Sequence, residues 1–161
     1  MTRSKWILLA EDNVNDAELM LRAMSANQFS QVVIVTRDGA EALNCLHRRE
    51  GFQGRDTGNP TVVLLDLKMP KVDGLEVLQQ MKADPRLKSI PVVMFTSSRE
   101  EGDVSRSYEL GANAYVVKPV DFKQFILVVK ELQRYWMEIN EPPPAQPDKD
   151  LSNAAQFSAA A

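Results

Sequence analysis

The chain has 161 residues, and the 44% that are hydrophobic suffice for one ordinary globular core but not for two full domains. Its 19 Lys and Arg residues and 22 Asp and Glu residues give a formal charge of −3, which excludes the basic excess that binds nucleic acid directly. The single cysteine, Cys45, excludes an internal disulfide, and no apolar stretch reaches the ~20 residues that span a bilayer. We therefore expect a cytoplasmic protein that makes no membrane contact.

Five short apolar runs divide the chain at regular intervals. They are rich in Val, Ile and Leu and lack polar alternation, as strands covered on both faces do. They lie at about 6–10, 32–36, 62–65, 92–96 and 114–117. This pattern predicts a buried parallel sheet.

The segments that follow each run carry apolar residues at three- and four-residue spacing, which predicts crossover helices. These helices are expected at about 15–27, 39–50, 74–83, 99–110 and 121–138. Residues that favour helix ends mark several of their boundaries: Asn13 or Asn15–Asp16, Asp38–Gly39, Asp73–Gly74, Ser97–Ser98 and Gly111. The alternation predicts an α/β, doubly wound fold of five βα units.

Two segments depart from this alternation. Residues 48–60 contain three glycines and five charged residues, which predicts a long exposed connection that is either a partner-contact loop or a tolerated insertion. Residues 141–161 are Pro-rich and then polar, which predicts a flexible tail. We therefore expect one folded domain over residues 1–140.

Charged or hydroxyl side chains stand at the ends of four runs. Glu11–Asp12, Asp66 and Lys118 follow three of them, and Thr96 ends a fourth. Taken singly, each has a common structural explanation as a helix cap or a solvated loop residue. Because the carboxyl ends of parallel strands lie together, however, their joint order predicts one crevice that holds them all.

The carboxylates of that crevice predict a metal site. Asp12 and Asp66 are the expected ligands of Mg²⁺, with Glu11 acting through a water and the backbone carbonyl of Lys68 completing the set. An aspartate carboxylate is also a nucleophile for phosphoryl transfer, and Asp66 has the central position. The inventory therefore predicts phosphorylation of Asp66.

Two further residues are expected to meet the charge on the transferring phosphoryl group. Lys118 supplies a compact positive charge and Thr96 supplies a hydroxyl. A cis bond between Lys118 and Pro119 is expected to turn the lysine toward the crevice.

The joint order of these residues resembles the receiver domain of two-component response regulators over roughly residues 5–138. The residues that carry the resemblance are Glu11–Asp12, Asp66–Leu67–Lys68–Met69–Pro70, Asp73–Gly74, Thr96–Ser97, Tyr115 and Lys118–Pro119. The resemblance implies a flavodoxin-like (βα)5 fold with strand order 2-1-3-4-5 and a receiver domain over residues 1–140. It also implies Mg²⁺-dependent phosphorylation of Asp66 by a sensor histidine kinase.

The resemblance further implies that Thr96 and Tyr115 form a switch pair that alters the surface of the fourth helix, fifth strand and fifth helix. Such a protein is not an enzyme for a separate substrate, because it transfers and hydrolyses only the phosphoryl group on its own Asp66. The 48–60 connection, the Leu67–Pro70 segment and the lack of an output domain resemble the small regulators paired with bacterial phytochromes. The expected kinase is therefore a phytochrome-type light sensor.

The fifth helix predicts an interface. One expected inward stripe consists of Phe122, Phe125, Ile126, Val129 and Leu132, whereas Leu127, Val128 and Trp136 fall outside it. The surplus apolar surface predicts a homodimer or partner interface at this helix. The alternative is that residues 135–139 fold back over it.

Three other functions that occur with this kind of fold can be compared with the same residues. A haloacid-dehalogenase-type phosphatase has an Asp-x-Asp motif at its nucleophile, whereas Lys68 stands here in place of the second aspartate. A flavodoxin-like electron carrier needs a phosphate loop where Glu11–Asp12 would repel an anion. A pseudo-receiver adaptor that acts through the same surface without phosphorylation stays open as the alternative.

Overall fold

The computed structural model describes residues 4–25, 32–54 and 58–145. Within these ranges strands and helices alternate. The strands are β1 (Trp6–Ala10), β2 (Val32–Thr36), β3 (Val62–Leu65), β4 (Val92–Thr96) and β5 (Ala114–Val117). The helices are α1 (Val14–Ser25), α2 (Gly39–Leu46), α3 (Gly74–Ala83), α4 (Glu101–Glu109) and α5 (Phe122–Arg134), which continues into a π-helical turn at Tyr135–Ile139. Each predicted apolar run is a strand.

Over the described residues the strands form one parallel sheet in the order β2-β1-β3-β4-β5, which confirms the predicted flavodoxin-like (βα)5 topology. Leu9 of β1 pairs with Val35 of β2 on one side and with Leu64 of β3 on the other. The chain reverses its direction of winding between β1 and β3, and ligands of such sheets bind outside the strand ends at this point. The topology therefore opens a crevice beside the ends of these two strands.

Helices cover both faces of the sheet and divide the core into two layers. Leu8 of β1 belongs to the layer shared with α2 and α3, which includes Leu78. The opposite layer joins α1 to α5, and there the rings of Phe95 and Phe125 have centroids 5.4 Å apart. Burying each such large apolar side chain contributes about 1.5–3 kcal/mol. The double covering explains why the strands are apolar at nearly every position.

The helix starts follow the predicted capping at three places and depart from it at a fourth. Asn13, Asp38 and Asp73 each accept a hydrogen bond from the backbone N–H three residues later, as predicted. The predicted cap at Ser97–Ser98 is wrong, because Glu100 directly precedes α4 and provides no side-chain cap. The Ser98 hydroxyl instead donates to the carboxylate of Asp103 inside the first turn.

The inward stripe predicted for α5 is correct except at its first residue. Phe125 and Val129 are buried and Ile126 and Leu132 pack against the same core, whereas Phe122 is exposed at the start of the helix. Val128, expected outside the stripe, is partly buried against that core as well. Trp136, which was expected to lie outside the stripe, is buried in the core together with Met137.

Helix α5 ends in a π-helical turn that contains the buried Trp136. The backbone N–H of Asn140 donates to the carbonyl of Tyr135 at 2.7 Å, which closes a wider turn than an α-helix makes. Trp136 lies eleven residues after Phe125, which is close to three α-helical turns, so its side chain lies on the same face of the helix as the buried stripe. Residues 135–139 thus continue the helix instead of folding back over it, and Leu127 stays exposed.

The two irregular segments are described only in part. Residues 141–145 are neither helix nor strand and line a cavity of about 420 Å³ at the amino end of the sheet. The rest of the predicted tail and residues 55–57 of the 48–60 connection lie outside the described residues. Among the helices that the structure describes, none is long and apolar enough to cross a membrane.

The backbone of Gly74 lies so close to the carbonyl of Asp66 that a larger residue would clash with it. A Cβ at this position would lie 2.1 Å from the carbonyl oxygen of Asp66. We therefore predict that Gly74→Ala destabilises the fold by about 1–3 kcal/mol, measured by urea unfolding. Gly102→Ala is the matched control, because a Cβ there meets nothing within 4 Å and alanine favours the helix. Equal stability of the two variants would contradict this prediction.

Candidate functional site

Backbone hydrogen bonds continue past the ends of the strands and fix the residues of the crevice. The N–H of Asp66 donates to the carbonyl of Ala10 at 3.0 Å, which ties the end of β3 to the end of β1. The N–H of Lys118 donates to the carbonyl of Thr96 at 2.7 Å, which ties the end of β5 to the end of β4. Asp66 and Lys118 are thus held in place by backbone hydrogen bonds of the sheet.

Three of the predicted carboxylates converge beside β1 and β3. One oxygen from each of Glu11, Asp12 and Asp66 lies within 4.8 Å of the others. Glu11 is only 1% exposed and also accepts the backbone N–H of Asn13 at 3.0 Å, whereas Asp12 is open to solvent. A divalent cation offsets the mutual repulsion of such carboxylates and prefers oxygen ligands, so this donor set fits one.

The ammonium of Lys118 lies among the carboxylates. Its Nζ is 2.7 Å from Oε2 of Glu11, 2.9 Å from Oδ2 of Asp16 and 3.0 Å from Oδ2 of Asp66. The predicted cis bond is wrong, because the peptide between Lys118 and Pro119 is trans. The backbone bond to β4 and the length of the lysine side chain bring the ammonium into the crevice without that turn.

Burial and charge oppose each other in this cluster. Burial raises the pKa of Glu11 to about 7, although the hydrogen bond from Lys118 acts to lower that pKa. Burial by itself would lower the pKa of Lys118, but the hydrogen bond to Glu11 and the charges of Asp66 and Asp16 together raise it. The lysine therefore stays charged at neutral pH, whereas Glu11 pays a desolvation cost that a bound cation would reduce.

The two residues of the predicted switch pair both contact Ser98. The hydroxyl oxygen of Thr96 accepts a hydrogen bond from the N–H of Ser98 at 3.4 Å, and the hydroxyl of Tyr115 donates to the carbonyl of Ser98 at 2.9 Å. Thr96 is buried, whereas Tyr115 is half-buried. The connection between β4 and α4 thus joins the crevice to the edge of the sheet.

The crevice has a volume of about 690 Å³ and an exposed basic rim at Lys68 and Arg99. Lys68 lies at the mouth, where its backbone was predicted to supply a metal ligand. Asp16, which the sequence indicated only as a helix cap, also lines the crevice, while Asn13 caps α1 by accepting the N–H of Asp16. The one sequence signal for the contact between Asp16 and Lys118 is the place of Asp16 in the first turn of the predicted helix, close to the end of β1.

Comparison with known proteins gives a consistent family assignment. The sequence model of the response regulator receiver domain matches residues 7–130. Response regulator Rcp1 of Synechocystis sp. is 37% identical over 134 residues, which are 83% of this chain and 90% of Rcp1.

Solved structures agree with this assignment. The phosphorylated cyanobacterial phytochrome response regulator RcpA is 36% identical with a TM-score of 0.83, and the match covers 88% of this chain and 99% of RcpA. The Mn²⁺-bound form of Rcp1 is 36% identical with a TM-score of 0.81, covering 87% of this chain and 99% of Rcp1. The bacteriophytochrome response regulator RtBRR is 54% identical with a TM-score of 0.69, covering 98% of this chain and 95% of RtBRR.

The carboxylate cluster predicts that a divalent cation stabilises the fold. Its ligands come from β1 and β3, so they are close together only in the folded chain. At a Mg²⁺ concentration tenfold above its Kd we expect a gain of about 1.4 kcal/mol in the free energy of unfolding. Thermal unfolding with Mg²⁺, and with NaCl at equal ionic strength, measures the gain. Asp12→Asn should abolish it, and an equal gain in that variant would contradict the assignment.

Proposed function

The chain belongs to the response regulator receiver domain family, and from this premise we propose that it accepts a phosphoryl group on Asp66. The donor is the phosphohistidine of a sensor histidine kinase. A carboxylate oxygen of Asp66 forms the new P–O bond, the P–N bond breaks, and the histidine nitrogen keeps the electron pair. Hydrolysis later returns the carboxylate and inorganic phosphate. The chain itself is the substrate, so no separate substrate is turned over.

One observation carries this proposal. Asp66 directly follows a central strand, with an oxygen 3.0 Å from Nζ of Lys118 and with the carboxylates of Glu11 and Asp12 beside it. A nucleophile between a cation site and a fixed ammonium suits phosphoryl transfer, because that reaction requires in-line positioning and stabilisation of charge more than proton transfer.

The metal we propose is Mg²⁺. Asp12 and Asp66 would bind it directly, Glu11 would act through a water, and the backbone carbonyl of Lys68 would complete the protein ligands. When bound, the cation neutralises charge on the phosphoryl oxygens. Lys118 and Thr96 would bind the remaining oxygens with an ammonium and a hydroxyl.

We propose that phosphorylation acts through the contacts of Ser98. A phosphoryl group on Asp66 offers a new acceptor to the hydroxyl of Thr96, whose oxygen now accepts only a long hydrogen bond from Ser98. A shift of Thr96 would alter the segment that also binds the hydroxyl of Tyr115. The equilibrium between two arrangements of α4 and β5 would then depend on the phosphoryl group.

The partner kinase is proposed to be a phytochrome-type sensor in the cytosol. The names of RcpA and RtBRR support this pairing, since both are phytochrome response regulators. Three exposed apolar side chains near the crevice offer a docking surface for the kinase: Val14 at the start of α1, and Val120, which is 98% exposed, with Phe122 at the start of α5. Direct binding of nucleic acid is not part of the proposal.

We also propose a homodimer through α4, β5 and α5. β5 is an edge strand with half-buried residues, so its outer side has no strand neighbour in the described sheet. Tyr108 of α4 and Leu127 of α5 are large apolar residues that are about half exposed on the helices beside it. These features support an interface on this face, with residues 1–140 as the folded domain and residues 141–161 as its tail.

A pseudo-receiver adaptor is the second candidate. It would use the same face without phosphorylation. One observation favours the adaptor: the hydroxyl of Tyr115 already donates a hydrogen bond to Ser98 although no phosphoryl group is bound to Asp66.

Phosphorylation is tested by intact mass after incubation with acetyl phosphate. We expect the native protein to gain one phosphoryl group only when Mg²⁺ is present, because the crevice carboxylates would otherwise repel the anionic donor. Asp66→Asn should show no gain. A native protein that gains no mass with Mg²⁺ would favour the adaptor.

The dimer is tested by sedimentation velocity of the native protein, with and without phosphorylation. We expect self-association in at least one state, and we expect Leu127→Arg to abolish it by placing a charge in the apolar contact. Val32→Arg is the matched control, since Val32 is exposed to a similar extent on the opposite edge strand. Monomers in both states of the native protein, or equal losses in both variants, would refute this interface.

A further inference from the structure

Asp16 contacts the site from outside the cluster that fits a cation. Its Oδ2 lies 2.9 Å from Nζ of Lys118, and its side chain is 31% exposed at the wall of the crevice. The carboxylates that lie close enough together to share a cation are those of Glu11, Asp12 and Asp66. Asp16 therefore binds the lysine without being a member of that set.

The start of α1 places Asp16 in this position. The side chain of Asn13 caps the helix by accepting the N–H of Asp16 at 3.0 Å, so the Asp16 carboxylate is not used for capping. A carboxylate in the first turn of a helix is also favoured by the helix dipole. Glu18, further along the same helix, is exposed and shows that a negative charge on α1 does not by itself lead to a contact with the site.

The three hydrogen bonds that the ammonium of Lys118 donates give Asp16 a specific role. The lysine ammonium has three N–H donors, and Glu11, Asp16 and Asp66 accept one each. Glu11 and Asp66 belong to the group that fits a cation, and Asp66 is also the proposed phosphoryl acceptor. Asp16 is thus the one acceptor among these three that neither role engages.

We propose that Asp16 is a positioning residue that holds the ammonium of Lys118 at the crevice wall and directs it toward a phosphoryl group on Asp66. The inference rests on the proposed function, because it requires Asp66 to bind that group. Asp16 touches neither the phosphorus nor the metal in this scheme and acts only through the lysine.

Positioning and plain electrostatics predict opposite results when the charge of Asp16 is removed. If Asp16 only adds negative charge to the crevice, its removal should tighten the binding of an anion at Asp66. If Asp16 positions Lys118, its removal should weaken anion binding, because the ammonium loses its fixed location. The direction of the change therefore distinguishes the two roles.

The probe is beryllofluoride, an anionic mimic of a phosphoryl group that binds an aspartate carboxylate. Its affinity is measured by fluorine NMR at saturating Mg²⁺ for the native protein and for Asp16→Asn. We expect the substitution to weaken binding by about tenfold, the scale of one charge-assisted hydrogen bond. Glu18→Gln removes the same charge from the same helix and should leave the affinity unchanged.

A double-mutant cycle tests whether Asp16 acts through Lys118. In a Lys118→Ala background, Asp16→Asn should no longer weaken beryllofluoride binding, and the loss of a negative charge should leave the affinity equal or higher. Should Asp16→Asn fail to fold, Asp16→Ser is measured by the same criterion, and circular dichroism establishes folding in each case.

Failure of the positioning role can be distinguished from failure of the proposed function. Native affinity or tighter binding in Asp16→Asn would overturn the positioning role while leaving phosphoryl acceptance intact. An equal loss in the Lys118→Ala background would also overturn it. Absence of beryllofluoride binding to the native protein at saturating Mg²⁺ would instead count against the proposed function itself.

Discussion

The sharing of the Lys118 ammonium among carboxylates from three different elements is the interaction on which this site depends. β3 and β4 separate β5 from β1 in the sheet, so the lysine must extend across the strand ends to reach Glu11. Its Nζ lies 5.9 Å from the ring centre of Phe95 on the way, which gives the cation a favourable aromatic neighbour. Removing either partner would leave an unpaired buried charge, so the ammonium and the carboxylates require each other.

This pairing leaves the crevice with an excess of negative charge. Glu11, Asp12, Asp16 and Asp66 outnumber the ammonium of Lys118 that lies among them, and burial of Glu11 makes its charged form costly. A fold selected only for stability would replace such residues with apolar ones of similar size. The arrangement is understandable as a site prepared for a cation and an anionic group, whose binding restores the charge balance.

The segment between β4 and α4 connects the crevice to the outer edge of the sheet. Thr96 ends β4 in the crevice, and Ser98, two residues later, bonds to Tyr115 on the exposed edge strand. Ser98 also donates to Asp103 in the first turn of α4. The hydrogen bonds of Ser98 thus connect the crevice to both α4 and β5.

The sequence by itself determined the strands and the set of residues at their ends, because the spacing of apolar residues and the residue types that follow each run are local properties. It determined the order of the strands through the family resemblance. It did not determine the contact of Asp16 with Lys118 or the trans bond before Pro119. The first depends on how far a long side chain reaches across the strand ends, and the second on the path of the backbone beyond β5. Both are consequences of packing between distant segments, which only the tertiary structure decides.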